Sequence, residues 1–193
     1  MTRPSPDAPI ETRWEGRFIS VKQQGTWEYV SRARGIHAAV ILAIDEDSDG
    51  RHVILVEQYR VPLKVNCLEL PAGLVGDDTA GEASEIAAQR ELEEETGYRA
   101  DHWRVVGEFY SSPGMVSESF TLLIATGLTK ISEGGGVDGE DIIVHCVPLN
   151  SVADFVAAKR AEGCGIDVRV AMLLAGGLLG TSNPFVSSEV ETP

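Results

Sequence analysis

The stretch from Gly73 to Tyr98, GLVGDDTAGEASEIAAQRELEEETGY, decides how this chain reads. Between Ala83 and Glu95 it has neither Gly nor Pro and is rich in Ala, Leu, Glu and Gln, which predicts a helix. Gly97 stands where a left-handed cap would end that helix. On it, Glu91 and Glu95 fall at i and i+4 on one face, and Glu94 borders the same face. Carboxylates crowded in this way repel one another unless a cation sits among them. A hard divalent cation with oxygen ligands, such as Mg²⁺, fits. The bland alternative is a solvated acidic face. Acid in the last turn of a helix opposes the macrodipole, however, so three consecutive glutamates are poorly placed for stability alone.

The spacing is more specific than a run of charge. Gly76, Glu82, then Arg90-Glu91-Leu92-x-Glu94-Glu95-x-Gly97-Tyr98 fixes many positions over a long window. This pattern resembles the box of the Nudix hydrolases, which cleave a nucleoside diphosphate linked to another moiety. The resemblance implies Glu91 and Glu95 as the main metal ligands, with Glu94 as an additional ligand and part of the catalytic machinery. It implies Arg90 as the residue that orients the acidic cluster, and Mg²⁺, with Mn²⁺ as the alternative, as the cation. One departure stands out. In the family the box glycine usually follows a strand ending in Pro-Ala-Gly; here that tripeptide is Pro71-Ala72-Gly73, eight rather than five residues short of Glu82 at its end. Val75 to Gly81 reads as a loop lengthened by a few residues, since GDDTAG is turn chemistry. The carbonyl that joins the metal shell is then assigned to Ala72, with Val75 as the alternative, and Leu74 is carried over as a substrate-lining residue.

Working outward, 193 residues suffice for one domain with a real core and an appended N-terminal element. The expected division is 1–36 as N-terminal strands, 37–180 as the catalytic domain and 181–193 as a disordered tail. The formal charge of −14 argues against bulk binding of nucleic acid or an anionic membrane. Cys67, Cys146 and Cys164 form no paired framework and no metal spacing, which points to a reducing compartment. The first residues lack the apolar core of a signal peptide. The most apolar stretch, Val168 to Leu179, carries Arg169 and is too short to span a bilayer. A soluble cytoplasmic protein is expected.

The coarse pattern predicts residues 1–10 disordered and strands over Trp14–Gln23, Thr26–Arg34, Ala38–Asp45, His52–Tyr59, Leu68–Leu70, Trp103–Tyr110, Phe120–Thr126 and Ile142–Val147. Helices are expected over Ser151–Glu162, capped by Asn150 or Ser151, and from Asp167 as cap to Leu179. With strands outnumbering helices, the fold class is α+β: an α/β/α sandwich with a mixed sheet core, helices on its faces and antiparallel strands at the N-terminus.

Chemistry on a diphosphate also needs phosphate clamps and an activated water. Gln58-Tyr59-Arg60 ends a strand, and an Arg there can fork onto phosphate oxygens. By itself Arg60 reads first as a surface cation paired with one of many acids; the resemblance instead assigns it to the diphosphate. Two acids outside the box are candidates for water activation, Glu118 after SPGMVS and Glu140 in GGGVDGED, where Asp138 competes with it. The three glycines 134–136 read as the mobile backbone of a closing loop. The resemblance favours Glu140 as the base and places Glu118 at the terminal ribose.

CLELPAGLV, Gln58-Tyr59-Arg60, TGYRAD and Pro113 together resemble the ADP-ribose pyrophosphatase branch of the family, over roughly residues 14–180. Members of that branch are typically dimers whose N-terminal strands reach the partner. GTWEYVSRAR is similar to the segment that completes the adenine pocket, so Trp27 would stack on the base, with Phe18 opposite, Glu28 at the edge and Arg32 near adenosine or phosphate. Packing within the sandwich is the competing explanation of the two aromatic rings. The implied activity is Mg²⁺-dependent hydrolysis of ADP-ribose to AMP and ribose 5-phosphate. The alternatives are hydrolysis of other nucleotide sugars, such as GDP-mannose or ADP-glucose, and a non-catalytic nucleotide-binding module of the same fold. No nucleic-acid or membrane partner is implied.

Overall fold

Strand geometry dominates the chain, and the place where two long strands part company positions everything else. The computed structural model describes residues 6–33, 36–76, 81–137 and 139–178. The expected disorder at 1–5 and 181–193, the end of the last helix at Leu179, most of the GDDTAG loop and Asp138 lie outside the described residues.

Three N-terminal strands, β1 (Ile10–Glu15), β2 (Ile19–Gln24) and β3 (Trp27–Arg32), form their own antiparallel sheet in the order β1-β2-β3. Two expectations are corrected here. The single strand Trp14–Gln23 is two strands separated by a turn through Gly16-Arg17-Phe18, and Ile10 already belongs to a strand. β1 is exposed at every position, so it has none of the in–out alternation by which a half-buried strand is recognised.

The larger sheet contains β4 (His37–Asp47), β5 (Gly50–Arg60), β6 (Val65–Glu69), β7 (Ala72–Val75), β8 (Tyr98–Tyr110), β9 (Ser119–Lys130), β10 (Ile143–Pro148) and β11 (Gly165–Ile166). It is mixed: β4 runs parallel to β9 and β11 parallel to β6, while the other pairs are antiparallel. β4 and β5 pair only from Ala43–Ile54 to Asp47–Gly50. Beyond that point each takes another neighbour, β7 for β4 and β6 for β5. Leu70-Pro71 links these two short strands across the split. The sequence pattern predicts no strand at β7 and puts Val75 in a loop; pairing to His37–Val40 of β4 makes this segment a strand.

Alternation along β4 and β5 sends side chains to two cores. Val40, Leu42, Leu55, Leu68 and Leu122 pack beneath the helices α2 (Val152–Ala161) and α3 (Ala171–Leu178), through Val152, Val156 and Leu173. Ala39, Ile41, Ala43, Ile54 and Leu123 pack beneath α1 (Ser84–Glu91) and the turn that follows it, through Ala87, Ala88 and Leu92. Two alanines at this contact let the helix lie close on the sheet. Leu92 is fully buried, which is worth about 1.5–3 kcal/mol. The fold is thus α+β, with helices on both faces of a mixed sheet. The two expected C-terminal caps differ. Asp167 accepts from the Arg169 N–H at 2.8 Å and starts a turn that leads into α3. Ser151 stands at the N-cap of α2 but makes no capping hydrogen bond; its hydroxyl donates to Asn150 instead, and a 3₁₀ turn at Leu149–Ser151 leads into the helix. No helix among the described residues is long and apolar enough to cross a membrane.

Candidate active site

A cleft of about 420 Å³ opens where β4 and β5 diverge. Ala38 of β4, Gln58 and Arg60 of β5, and Ala72, Gly73 and Leu74 of β7 line its base. Arg90, Glu91, Glu94 and Glu95 enter from α1 and the turn after it, Glu118, Val137 and Glu140 from loops, Arg32 from β3, and Arg169 from the turn before α3. Phe18, Trp27 and Glu28 are not among the lining residues. Phe18 and Trp27 are 58% and 46% exposed on the N-terminal sheet, and Phe18 carries the Arg17 guanidinium 4.9 Å above its ring.

The acidic segment ends in an unusual way. After Glu91 the regular helix gives way to a wider π-type turn over Leu92–Thr96, closed by Gly97 at φ 74°. Such turns often mark functional sites, because the extra residue re-aims the side chains around it. Thr96 braces this one: its hydroxyl donates to Leu92 O at 2.5 Å and accepts from the Tyr98 N–H at 3.2 Å.

Arg90 sits among three carboxylates, with Nη1 at 2.9 Å from Glu91 and 3.2 Å from Glu94, and Nε at 3.9 Å from Glu82. Glu91 lies flat against Gly73, where a Cβ would fall within 2.0 Å of its carboxyl group. The glycine of Pro-Ala-Gly is therefore needed for close approach. Burial holds the Glu91 carboxyl above its ordinary range, helped by Glu94 and Glu140 and opposed by Arg90. Glu95 is only 5% exposed and accepts from the Ala72 N–H at 3.0 Å. Burial pushes its pKa up to about 8; Glu91 and Glu140 add to the rise, while the Ala72 N–H and Arg60 oppose it.

Among the described residues no three His, Cys, Asp or Glu side chains already converge as a closed metal shell. The donor set nonetheless suits a hard cation. Glu91, Glu94 and Glu95 offer only carboxylate oxygens to one cleft, with Glu91 seated against the bare backbone of Gly73. Glu91, Glu94 and Glu95, with the Ala72 carbonyl, are the residues that could hold a divalent cation here.

The glycine-rich segment differs from its sequence reading as a free hinge. Gly135 N–H donates to Glu95 O at 2.9 Å and Gly136 N–H to Glu94 O at 3.0 Å, so it caps the carbonyls of the acidic turn. Gly97 and Gly134 touch backbone to backbone: a Cβ on Gly134 would lie 2.4–2.7 Å from main-chain atoms of Glu95–Gly97. The Glu140 carboxylate accepts from the Val137 N–H at 3.1 Å, closing a tight turn at the cleft wall.

Across the cleft, Arg60 is forked onto Glu69 at 2.5 and 2.8 Å. The two-donor edge expected to fork onto phosphate is thus occupied by a carboxylate, while Arg60 still lines the cleft. Glu69 and Arg169 were not singled out as site residues from sequence. Arg169 reaches Glu69 at 3.4 Å, is clamped by Asp167 at 2.6 and 2.8 Å, and stands 5.7 Å over the Phe120 ring. Arg32 and Glu118 pair at 2.6–2.7 Å at the other end.

Comparison with known proteins matches this arrangement to one family. The NUDIX domain profile matches residues 35–163. GDP-mannose pyrophosphatase of Cronobacter sakazakii is 35% identical over 171 residues, covering 84% of this chain and 81% of that protein. ADP-ribose pyrophosphatase of Bacillus subtilis is 35% identical over 124 residues, covering 64% of each chain, so the match spans just under two thirds of that enzyme. A solved structure described as an ADP compounds hydrolase shares the fold with a TM-score of 0.63 at 22% identity, over 93% of this chain and 96% of that one. The chain belongs to the Nudix hydrolase family.

Proposed function

We propose that this Nudix hydrolase cleaves the diphosphate of a nucleoside diphosphate sugar, with ADP-ribose as substrate and AMP and ribose 5-phosphate as products. The observation that carries this reading is the facing of two unlike walls across one cleft. Glu91, Glu94 and Glu95 form an acidic wall suited to a divalent cation, and Arg60 and Arg169, each already paired with a carboxylate, line the same cleft with guanidinium donors suited to a diphosphate. Bound there, the cation would neutralise the diphosphate and acidify a bound water. Arg60 and Arg169 hold the phosphoryl oxygens. Glu140, whose carboxylate stays outside the acidic turn, accepts the proton of the attacking water as its oxygen bonds to phosphorus. The bridging P–O bond breaks, and the second phosphate leaves with its electron pair. Glu118 faces the terminal ribose, with Asp138 as the competing acid for the base.

The outward-facing Phe18, Trp27 and Glu28 are consistent with an adenine pocket completed by a second copy of the chain, hence a homodimer, with residues 1–36 as the shared element. Cleavage of a cytosolic nucleotide sugar suits the cysteine usage. GDP-mannose is the second reading, favoured by the longer span of the match to a GDP-mannose pyrophosphatase. Product analysis on ADP-ribose, ADP-glucose and GDP-mannose, with Mg²⁺, with Mn²⁺ and with chelator, is the test. Chelator-sensitive release of AMP from ADP-ribose, at the highest kcat/KM of the panel, is expected. Faster GDP-mannose turnover would move the substrate to the second reading. No turnover of any of them would leave a binding module.

A further inference from the structure

A second, smaller chamber of about 210 Å³ lies behind the Arg32–Glu118 pair, between the N-terminal sheet and the catalytic domain. Its lining includes Lys22, His37 and the hydroxyl residues Ser31, Ser117 and Ser119. The strand register explains why Lys22 is there. Ser20 pairs with Ser31 and Lys22 with Tyr29, so Ser20, Lys22, Tyr29 and Ser31 share one face of the N-terminal sheet. Ser20 and Ser31 are 3% and 7% exposed, so this is the face turned inward. Ser31 Oγ meets Ser117 Oγ at 2.6 Å across the seam, and β3 is tied to the same loop by the Val30 N–H to Met115 O and the Ser117 N–H to Val30 O, both 2.9 Å.

The charge balance inside the chamber is the informative part. Glu118 is neutralised by Arg32 at 2.6 Å. His37 lies with Nε2 at 3.2 Å from Ser84 Oγ. Lys22 is half-buried and, among the described residues, makes no ion pair. A chain with 30 acidic and 16 basic residues has carboxylates to spare, yet among the described residues none pairs with this ammonium. A half-buried cation with no ion-pair partner among the described residues, lining one cavity with serine hydroxyls and an imidazole, is an anion site by its chemistry. The volume exceeds what one tetrahedral oxyanion needs.

We infer that this chamber binds a phosphomonoester, gripped by Lys22 and His37 with serine hydroxyls as further donors, in a subsite separated from the catalytic cleft by the Arg32–Glu118 pair. It goes beyond the proposed hydrolysis and needs no catalytic cation.

The test is calorimetric titration of inorganic phosphate into the full chain in EDTA at pH 7, so that its failure leaves the proposed reaction untouched. Saturable one-site binding is expected, weakened at least about tenfold in Lys22→Gln, restored in Lys22→Arg and unchanged in Arg60→Ala. Ribose 5-phosphate and AMP, titrated in the same way, identify the source. The one that binds more tightly than phosphate with the same Lys22 dependence is the natural occupant, and equal affinity for all three means free phosphate. Affinity unaltered in Lys22→Gln, binding lost in Arg60→Ala instead, or no saturable heat would each overturn the inference.

Discussion

Glu57 and Glu95 are 6% and 5% exposed, lie on the same domain, and meet opposite surroundings. Glu57 is ringed by donors. His145 Nε2 and Lys159 Nζ each lie 2.9 Å from Oε2, and the Asn66 amide donates to Oε1 at 3.0 Å. Burial alone would raise its pKa, but these bonds outweigh it and hold the pKa down to about 2. Glu95 receives one backbone N–H, lies near Glu91 and Glu140, and is pushed up to about 8. The fold thus completes one buried carboxylate with its own donors, the Lys159 ammonium among them, and leaves the other short of them. The first ties β5, β6, β10 and α2 together. The second is what a site for an external cation looks like from the protein side.

The largest expected effect separates the two. Glu95→Gln keeps the shape and removes the ligand charge. Steady-state kinetics at saturating Mg²⁺ should show turnover lower by orders of magnitude, while the melting temperature in EDTA is unchanged or higher. Glu57→Gln should do the reverse. Turnover per folded molecule stays within a few-fold, but urea denaturation should show a loss of about 1.5–3 kcal/mol, since charged hydrogen-bond partners are left behind. Equal effects of both substitutions on turnover would erase the distinction.

Next in size is Arg60→Ala. Loss of charge-assisted contacts to the diphosphate should lower kcat/KM by about 1.5–3 kcal/mol in transition-state terms, with the Mg²⁺ dependence preserved. Because Arg60 is also forked onto Glu69, Arg60→Lys should not restore the wild-type value. An unchanged kcat/KM would leave Arg60 with Glu69 alone.

A smaller effect, readable in stability, follows from the two pKa directions. Glu95 in the metal-free fold keeps a proton that the unfolded chain has lost. Its contribution is fully present below about pH 4.5 and is lost as pH rises through about 8. Glu57 behaves oppositely: its contribution is present above about pH 4.5 and is lost as pH falls through about 2. Thermal melts of Glu95→Gln and Glu57→Gln against wild type, in EDTA across this range, should diverge at opposite ends. Divergence at the same end would refute the pairing.

How far these features could be read in advance depends on how local their causes are. The acidic helix, its end at Gly97, the strands β4 and β5, and the parts of β8 and β9 from Trp103 to Tyr110 and Phe120 to Thr126 follow from periodicity and turn residues close in sequence; Tyr98–His102 and Gly127–Lys130 extend those two strands beyond that reading. The widened turn at Leu92–Thr96 carries no such signature, and the groups that satisfy its Glu95 and Glu94 carbonyls, the Gly135 and Gly136 N–H, lie some forty positions away. The three glycines looked like a hinge; close approach at Gly134 is a property of two segments together and is invisible in either alone. Arg169 read only as a charge interrupting an apolar helix, because Glu69, a hundred residues earlier, is what draws it to the cleft. β7 is too short to show alternation and begins in turn chemistry, so only its partner strand makes it a strand.

The most direct measurement is the proton balance of cation binding. At pH 7 a Glu95 carboxyl with a pKa near 8 is mostly protonated, and a cation can use it only by displacing that proton. Calorimetric titration of Mg²⁺ into the metal-free protein, in buffers of different ionisation enthalpy, should show release of roughly one proton per cation, falling toward zero in Glu95→Gln. Mg²⁺ binding with the same proton release in wild type and Glu95→Gln would contradict the assignment of Glu95 as the buried ligand of the catalytic cation.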